Sequence, residues 1–166
     1  MKLLRRADYP TRPWKNGGGI SHEIAWHPAE DWRLGIAEIT QAGDFSDYTG
    51  FDRTLTVIGE GLRFNGAPIG PAPHAFRGED AIHATLDRGP VLAFNVLTRR
   101  GAMTHAVRRR GDAAGSDATF IVVLSGTVRI GGETLHALDA AAPEGRGVAV
   151  LPESGAEWAE VTLRPA

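Results

Sequence analysis

The sequence predicts an all-β protein, and three observations support this fold class. The 166 residues include 21 glycines and 10 prolines, which are spread along the whole chain rather than collected in one linker. Between them lie short runs rich in β-branched and aromatic residues, several with alternating apolar and polar positions. No segment carries an apolar stripe with helical spacing for more than two turns. Many short strands joined by tight turns account for this pattern.

The first half of the chain contains most of the predicted strands. Residues 19–26, GISHEIAW, alternate with a period of two, as a half-buried strand does. The runs WRLGIAEIT, IHATLD and GPVLAFNVLTRRG add further strands, and residues 54–66, TLTVIGEGLRFNG, predict a hairpin with its turn at Gly59–Gly61. The segment GPAPHAFRGED has too many prolines for a central strand.

The second half begins with a polar segment and then returns to the strand pattern. Residues 108–117, RRRGDAAGSD, predict a linker or long loop whose three arginines form a solvated face. Residues 119–132, TFIVVLSGTVRIGG, repeat the pattern of residues 54–66, with Gly126 in the place of Gly61. This echo favours a duplicated barrel unit. The later run VAVLPESGAEW, with a Pro-x-x-Gly turn, suits the small jelly-roll barrel of cupins.

Composition excludes several classes of partner and chemistry. The net charge of −2 argues against binding nucleic acid or an anionic membrane through bulk electrostatics. The N-terminus has no signal-peptide core, and no run approaches the roughly 20 apolar residues that span a bilayer. We therefore expect a soluble cytoplasmic protein with neither a nucleic-acid nor a membrane partner. Because cysteine is absent, disulfides and thiol nucleophiles are excluded.

The motifs of cofactor chemistry are also missing. The six histidines include no His-x-His pair, and Trp158 follows the Pro152–Gly155 turn where a metal-binding cupin would offer a histidine. No Gly-x-Ser-x-Gly elbow occurs. The NGGG run of residues 16–19 precedes a strand and lacks a following Gly-Lys-Ser/Thr, so it is neither a P-loop nor a dinucleotide fingerprint. We expect no metal and no cofactor.

A set of polar residues on the β scaffold carries the remaining functional signal. Asn95 lies inside the apolar run VLAFNVLT, where both faces of the strand look buried, and is either a structural amide or a polar group on a pocket floor. Glu23 is either a solvated edge residue or a pocket carboxylate. Lys15 and Arg53 are ordinary surface charges if each is taken alone. Together with Asn16, however, these residues are typical of a site for a small anionic metabolite.

Five motifs cover most of residues 10–101: PWKNGGGISHEI, DWRLGIAEI, GDFSDYTGFDRTLTVIGEGLRF, FRGE and GPVLAFNVLTRRG. In the order and spacing of these motifs the sequence resembles the HutD/Ves family, cupin-like proteins linked with bacterial histidine utilisation. Beyond Gly101 the resemblance rests mainly on strand pattern. It implies a metal-free bicupin of two small β-barrels in one compact chain.

The resemblance also implies domains and a site. We expect an N-terminal cupin-like barrel at residues 1–105, which carries the family motifs. A C-terminal barrel is expected at residues 106–166, completed by strand exchange with the first half. A homodimer is compatible with the sequence. The motif positions, which we assign to one ligand-binding pocket, are Trp14, Lys15, Asn16, Gly17, Gly18, Gly19, Glu23, Phe51, Asp52, Arg53, Asn95, Thr98 and Arg99.

Three functional hypotheses follow. The first is a non-enzymatic protein that binds a histidine-degradation metabolite of the urocanate or formylglutamate class and moderates histidine utilisation. In it Lys15 and Arg53 meet a carboxylate, Glu23 accepts from an N–H, and glycines let the ligand approach backbone N–H groups. The second is a metal-free cupin isomerase or hydrolase with Glu23 as general acid/base. The third is a structural or interaction module.

Overall fold

A computed structural model describes all 166 residues of the chain, Met1–Ala166. Apart from one 3-10 turn at Arg6–Asp8, the regular structure consists entirely of strands, which confirms the predicted all-β class. No helix is long and apolar enough to span a bilayer. In chain order the strands are β1 (Lys2–Leu4), β2 (Thr11–Pro13), β3 (Gly19–Trp26), β4 (Trp32–Ile39), β5 (Gly43–Asp44), β6 (Phe51–Ile58), β7 (Leu62–Phe64), β8 (Ala67–Pro68), β9 (His74–Arg77), β10 (His83–Leu86), β11 (Val91–Arg99), β12 (Met103–Arg110), β13 (Ala114–Ser116), β14 (Phe120–Ser125), β15 (Thr127–Ile130), β16 (Glu133–His136), β17 (Ala140–Ala142), β18 (Val148–Pro152) and β19 (Glu157–Pro165).

The chain divides into two compact units. The N-terminal unit contains residues 10–104 and 165–166, and the C-terminal unit contains residues 1–9 and 105–164. The first nine residues thus lie in the C-terminal unit, because β1 pairs antiparallel with β17.

The polar segment at residues 108–117 is neither a linker nor a long loop. Arg108–Arg110 end strand β12, and Ala114–Ser116 form β13. Arg109 pairs with Glu157 of β19, so the arginine cluster does not form a solvated loop face. The polar, glycine-rich composition gave no sign of these strands, because the arginines that end β12 are neutralised by partners distant in sequence.

The N-terminal unit is built from two sheets. A six-stranded sheet has the order β2-β3-β4-β11-β6-β9, and a four-stranded sheet has the order β5-β10-β7-β8. Apolar side chains of β4, β6 and β11 form one core with those of β7 and β10, including Ile39, Val57, Ala93 and Phe64. The sheets are open rather than closed into the barrel that the sequence predicted. Pro71 and Pro73 directly precede β9, which lies at the edge of its sheet, so the proline-rich segment forms no central strand.

The C-terminal unit repeats this two-sheet plan. Its sheets have the orders β1-β17-β14-β19-β12 and β13-β18-β15-β16 and are also open. Both contribute to one core, in which Trp158 of β19 packs with Ile121, Val128 and Leu135. Trp158 is fully buried, so the residue at the expected metal-ligand position is part of the core.

The two similar sequence segments form similar corners rather than hairpins. β6 pairs with β11 and β9, whereas β7 pairs with β10 and β8, so the chain crosses from one sheet to the other around Gly61. β14 and β15 make the same crossing around Gly126. The φ angles of Gly61 and Gly126 are +95° and +73°, a left-handed conformation that favours glycine. The predicted hairpin at residues 54–66 is therefore wrong, but the echo between the segments has a structural counterpart.

One buried carboxylate ties the N-terminal segment into the C-terminal unit. Asp139, 7% exposed, accepts hydrogen bonds from the backbone N–H groups of Arg6 and His136 and from the Arg5 side chain, at 2.9, 3.1 and 3.0 Å. Burial raises the pKa of Asp139, but these hydrogen bonds and the Arg5 charge outweigh it and hold the pKa below its usual value.

Replacing Asp139 with asparagine is expected to destabilise the protein at neutral pH by about 1–3 kcal/mol, because an amide nitrogen would face these donors. Since the folded-state pKa is lowered, the carboxylate stabilises the protein above its ordinary pKa of about 4, and this contribution is lost as the pH falls below it. Urea unfolding should therefore show a large difference at pH 7 and a small one at pH 3. Asp112→Asn, at an exposed position, is the control; an equal effect of both substitutions would contradict the assignment.

Candidate functional site

A cavity of about 380 Å³ opens on the inner face of the six-stranded sheet of the N-terminal unit. Inward-facing positions alternate along each strand, so the strands that supply core residues also supply its lining. In β6, Leu55 and Val57 enter the core while Arg53, two residues earlier, lines the cavity. In β11, Ala93 belongs to the core, and Asn95 and Leu97 line the cavity.

The sheet register arranges the cavity residues in two rows. Glu23 of β3 pairs with Gly35 of β4, which pairs with Asn95 of β11. We call Glu23 and Asn95, separated by Gly35, the acceptor row. Two residues further along the strands, Arg33 of β4 pairs with Leu97, and Leu97 pairs with Arg53 of β6. Arg33 and Arg53 are the cation row, roughly 7 Å from the acceptor row at 3.4 Å per residue.

A β-bulge in β3 lies directly after Glu23, which faces the cavity on the same side of the strand as Ser21. The register shifts between Glu23 and Ala25, so Ile24 has no direct partner in β4. Glu23 and Ile24 are consequently both buried, at 7% and 4% exposure, which breaks the regular alternation that the sequence predicted for this strand.

Arg53 is a buried cation without a carboxylate partner. Its side chain makes no ion pair, and its Nε atom is buried with no hydrogen-bond acceptor. The guanidinium carbon lies 5.3, 5.1 and 4.9 Å from the ring centres of Phe45, Tyr48 and Phe76. Burial lowers the pKa of Arg53 to about 10, so the group is still charged at neutral pH. An unpaired buried charge is costly unless a ligand neutralises it, and a guanidinium fits a carboxylate.

The second arginine of the cation row is already shared between carboxylates. The Nε atom of Arg33 lies 3.9 Å from Glu23, and its Nη2 atom lies 3.7 Å from Glu30. The 3.9 Å between Arg33 Nε and Glu23 Oε2 is too long for a hydrogen bond. The carboxylate oxygens of Glu23 accept no other hydrogen bond within the chain. Arg53 therefore remains the cation of the two rows that a ligand can neutralise.

Asn95 leaves a polar atom unsatisfied at the cavity. Its Oδ1 atom is buried and has no hydrogen-bond partner. Buried amide oxygens are normally paired, so this atom is available for a donor supplied by a ligand. Gly35, which stands between Asn95 and Glu23, has no side chain to fill the space.

The remaining wall is aromatic on one side and cationic at the rim. Trp14 donates a hydrogen bond from Nε1 to Ser21 Oγ at 2.9 Å, and its ring packs edge-on against Phe45 with centres 6.0 Å apart. Lys15 and Arg12 also line the cavity and are exposed. A mobile anion would meet these charges before it reached Arg53.

The structure thus brings together Trp14, Lys15, Glu23, Arg53 and Asn95 from the predicted set. Asn16 and the three glycines after it do not line the cavity. The Oδ1 atom of Asn16 accepts from Gly18 N–H at 2.8 Å, and Gly17 has a φ of +73°. A Cβ on Gly19 would lie 2.5 Å from the carbonyl oxygen of Glu38, so turn geometry and close packing account for this run.

Four further predicted residues lie at the ends of β6 and β11, outside the cavity lining. Asp52 accepts hydrogen bonds from Arg100 at 3.0 Å, and Arg99 pairs with Asp31 at 3.1 Å. The guanidinium of Arg99 lies 4.9 Å from the ring centre of Phe51. Thr98 is fully buried. Their positions indicate roles in joining strands and loops.

Sequence reasoning left out several lining residues, chiefly Arg33, Tyr48 and Arg12. Arg33 could have been found, because it shares the face of Gly35 and Ala37 in the alternating run WRLGIAEI. Tyr48 lies in a loop, where no periodic signal reports which way a side chain points. No cluster of three histidine, aspartate or glutamate side chains could hold a metal ion.

Known proteins are similar to this chain in sequence. The profile described as HutD matches residues 6–158. A Pseudomonas putida protein, "Uncharacterized 21.2 kDa protein in hutC 3'region", is 39% identical over 109 residues, and the match spans 58% of this chain and 57% of that relative's length. Protein Ves of Citrobacter koseri is 30% identical over 174 residues, covering 94% of this chain and 91% of Ves.

Solved structures show the same likeness in three dimensions. HutD from Pseudomonas fluorescens SBW25, in a formate condition, has a TM-score of 0.79 and 30% identity, with 98% of both chains covered. A cupin 2 conserved barrel domain protein from Leptotrichia buccalis has a TM-score of 0.55 and 8% identity, covering 98% of this chain and all of that one. The second likeness concerns the fold alone and marks it as cupin-like.

Proposed function

Because the chain belongs to the HutD family, we propose that its N-terminal unit is a cytoplasmic, non-enzymatic binding module for a small anionic metabolite. The observation that carries this proposal is Arg53, a guanidinium 8% exposed that faces the cavity without an ion pair or a side-chain hydrogen bond. A ligand carboxylate would supply the missing acceptor for Nε and neutralise the charge. Trp14 walls the pocket, and Lys15 attracts the anion at the rim.

Family membership directs the choice of metabolite. We propose a histidine-degradation intermediate of the urocanate or formylglutamate class, whose binding moderates histidine utilisation. Both classes are carboxylates small enough for a cavity of about 380 Å³.

Thermal unfolding in the presence of histidine, urocanate, formylglutamate and glutamate tests the proposal. At a hundred times its dissociation constant, a ligand stabilises the folded state by about 2.7 kcal/mol, which raises Tm by roughly 5–10 °C for a chain of this size. At least one of the carboxylates should produce such a shift, and the shift should vanish in an Arg53→Met variant. If none moves Tm at roughly 10 mM, the proposal fails.

One observation keeps an enzymatic function as a second candidate. Glu23 is 7% exposed and lines the cavity, so a bound compound can come within hydrogen-bond reach of its carboxylate, as general acid/base catalysis requires. If the protein is an enzyme, the NMR spectrum of a compound that binds it changes with time in the presence of the protein. The spectrum does not change in the presence of the Glu23→Gln variant. Unchanged spectra for a compound that binds would leave binding alone as the function.

We also propose that the two units are two copies of one cupin-like module, so that the chain is a bicupin. Three features support this: each unit has two open sheets, its own core, and one corner where the chain changes sheet at a glycine with positive φ. In this proposal only the N-terminal copy binds the ligand, and the C-terminal copy, whose core contains the buried Trp158, does not.

A further inference from the structure

The outer faces of the two four-stranded sheets can be compared strand by strand. Both sheets have the same layout, so that β5, β10, β7 and β8 of the N-terminal unit correspond to β13, β18, β15 and β16 of the C-terminal unit. Arg63 of β7 lies between two core residues, and so does Arg129 of β15. Both arginines therefore face outward, and the register gives each neighbour of one arginine a counterpart beside the other.

In the N-terminal unit this outer face is polar, and its charges are paired. Arg63 lies opposite Thr85 of β10, and Asp87 lies two residues beyond Thr85. The Nε atom of Arg63 donates a hydrogen bond to Asp87 Oδ1 at 2.7 Å. On the other side of Thr85, His83 contacts Asp44 of β5, with 2.6 Å between Nδ1 and Oδ1. The polar side chains of this face therefore satisfy one another.

The corresponding face of the C-terminal unit is apolar at its centre. Arg129 lies opposite Leu151 of β18, and Glu153 lies two residues beyond Leu151. Leu151, which is 53% exposed, thus stands in the place of the threonine. Ala149 and Gly115, which pair with each other, stand in the places of the histidine and the aspartate. The arginine and the acidic residue are kept, whereas the polar groups between and beside them are replaced.

The two charges kept on this face are left without partners. Arg129 and Glu153 are exposed, and neither side chain makes an ion pair or a hydrogen bond within the chain. Their counterparts Arg63 and Asp87, in contrast, form an ion pair with each other. The C-terminal face therefore offers one guanidinium and one carboxylate on either side of an exposed leucine, and each of these groups fits a group of opposite charge.

A two-fold axis makes this face complementary to itself. Arg129 lies about 5 Å from Leu151 across the strands, and Glu153 lies about 7 Å from Leu151 along β18. An axis in the plane of the face that brings Arg129 onto Glu153 of the partner subunit therefore passes close to Leu151. Both ion pairs then form together, and the two leucines meet between them, as in an isologous interface.

We propose that the outer face of the β13-β18-β15-β16 sheet is the surface through which two copies of this chain form a dimer. This proposal does not depend on the binding function of the N-terminal unit. Four strands about 4.8 Å apart give a face only about 15 Å wide, which is smaller than an interface that buries roughly 800 Å² per partner. We therefore expect a weak dimer that is half-formed at roughly 10–100 μM protein.

Sedimentation equilibrium at protein concentrations from about 5 to 500 μM tests the proposal with a matched pair of variants. Leu151→Glu places a charge at the centre of the face and should raise the dissociation constant of the dimer about tenfold or more. Thr85→Glu makes the corresponding change on the N-terminal face and should leave the dissociation constant unchanged.

Two charge reversals test whether the partner is a second copy in this orientation. Arg129→Glu leaves two carboxylates on the face, and Glu153→Arg leaves two guanidinium groups, so each variant repels itself and should be monomeric. An equimolar mixture should dimerise about as tightly as the unchanged protein, because every carboxylate then meets a guanidinium.

Two results would overturn the proposal. One is an unchanged protein that is still monomeric at about 500 μM. The other is a dimer whose dissociation constant does not respond to Leu151→Glu, or charge-reversed variants whose mixture stays monomeric. Circular dichroism of each variant checks that it folds. If one reversal does not fold, the unchanged protein, Leu151→Glu and Thr85→Glu still decide whether this face forms the dimer.

Discussion

Replacing Arg53 with methionine is expected to abolish carboxylate binding while leaving the protein as stable as before, or more so. A ligand carboxylate that meets Arg53 makes two charge-assisted hydrogen bonds, and their loss weakens binding by about a hundredfold or more. The folded protein, in contrast, loses an unpaired buried cation whose desolvation is only partly offset by the three surrounding rings. The methionine side chain fills similar space without a charge.

Calorimetry and urea unfolding of the same Arg53→Met preparation measure the two effects. We expect the free energy of unfolding to stay within about 1 kcal/mol of the original value or to rise. Arg88→Met removes one positive charge from an exposed turn of the same unit and controls for net charge. Carboxylate binding that survives in Arg53→Met would place the ligand elsewhere. A loss of several kcal/mol of stability would mean that Arg53 is a structural residue.

Replacing Gly78 with alanine is expected to have two effects. It should destabilise the protein, and it should displace the Tyr48 loop that forms part of the cavity wall. A Cβ on the buried Gly78 would lie 1.9 Å from the carbonyl oxygen of Tyr48 and 2.7 Å from its carbonyl carbon. These are backbone atoms, and two hydrogen bonds hold them in place. Tyr48 N–H donates to Gly78 at 3.0 Å, and Gly78 N–H donates to Phe51 at 2.7 Å. The loop must therefore move as a whole, at a cost of about 3 kcal/mol.

The movement matters for the site because the Tyr48 ring lies over the guanidinium of Arg53. Gly78→Ala should thus lower both the free energy of unfolding and the affinity for a carboxylate, although Gly78 does not line the cavity. Gly70→Ala, where an added Cβ meets no atom within 4 Å, should change stability by no more than about 0.5 kcal/mol. A crystal structure of Gly78→Ala with Tyr48 in its original place would refute the explanation.

The run PWKNGGGISHEI shows where sequence reasoning reached the site and where it failed. It located Trp14, Lys15 and Glu23, which line the cavity. It also placed the glycines against the ligand, whereas Gly17 shapes a turn and Gly19 allows close approach to Glu38. A glycine in a sequence signals an unusual backbone position, but the same signal arises from a turn, a close approach or a ligand.

Arg33 and Arg53 show a second limit. Arg33 lies in a predicted strand and Arg53 directly before one, and no local pattern shows which of the two lacks a carboxylate partner. Arg33 is neutralised by Glu23 and Glu30, and Arg53 has no carboxylate partner. That difference depends on register across four strands and on a loop that brings the Tyr48 ring over Arg53. It could not be predicted from the sequence, because each pairing joins residues distant in the chain.

The sequence by itself determined the all-β class, the positions of most strands, the absence of a central strand in the proline-rich segment, and the family to which the chain belongs. These features follow from the period-two alternation, turn residues and motifs, which act within a few residues of one another. Only the tertiary structure decided that the two similar segments are corners between open sheets, and which of the residues assigned to one pocket line the cavity. Such features depend on register and burial, and the free energies that set them come from contacts between residues far apart in sequence.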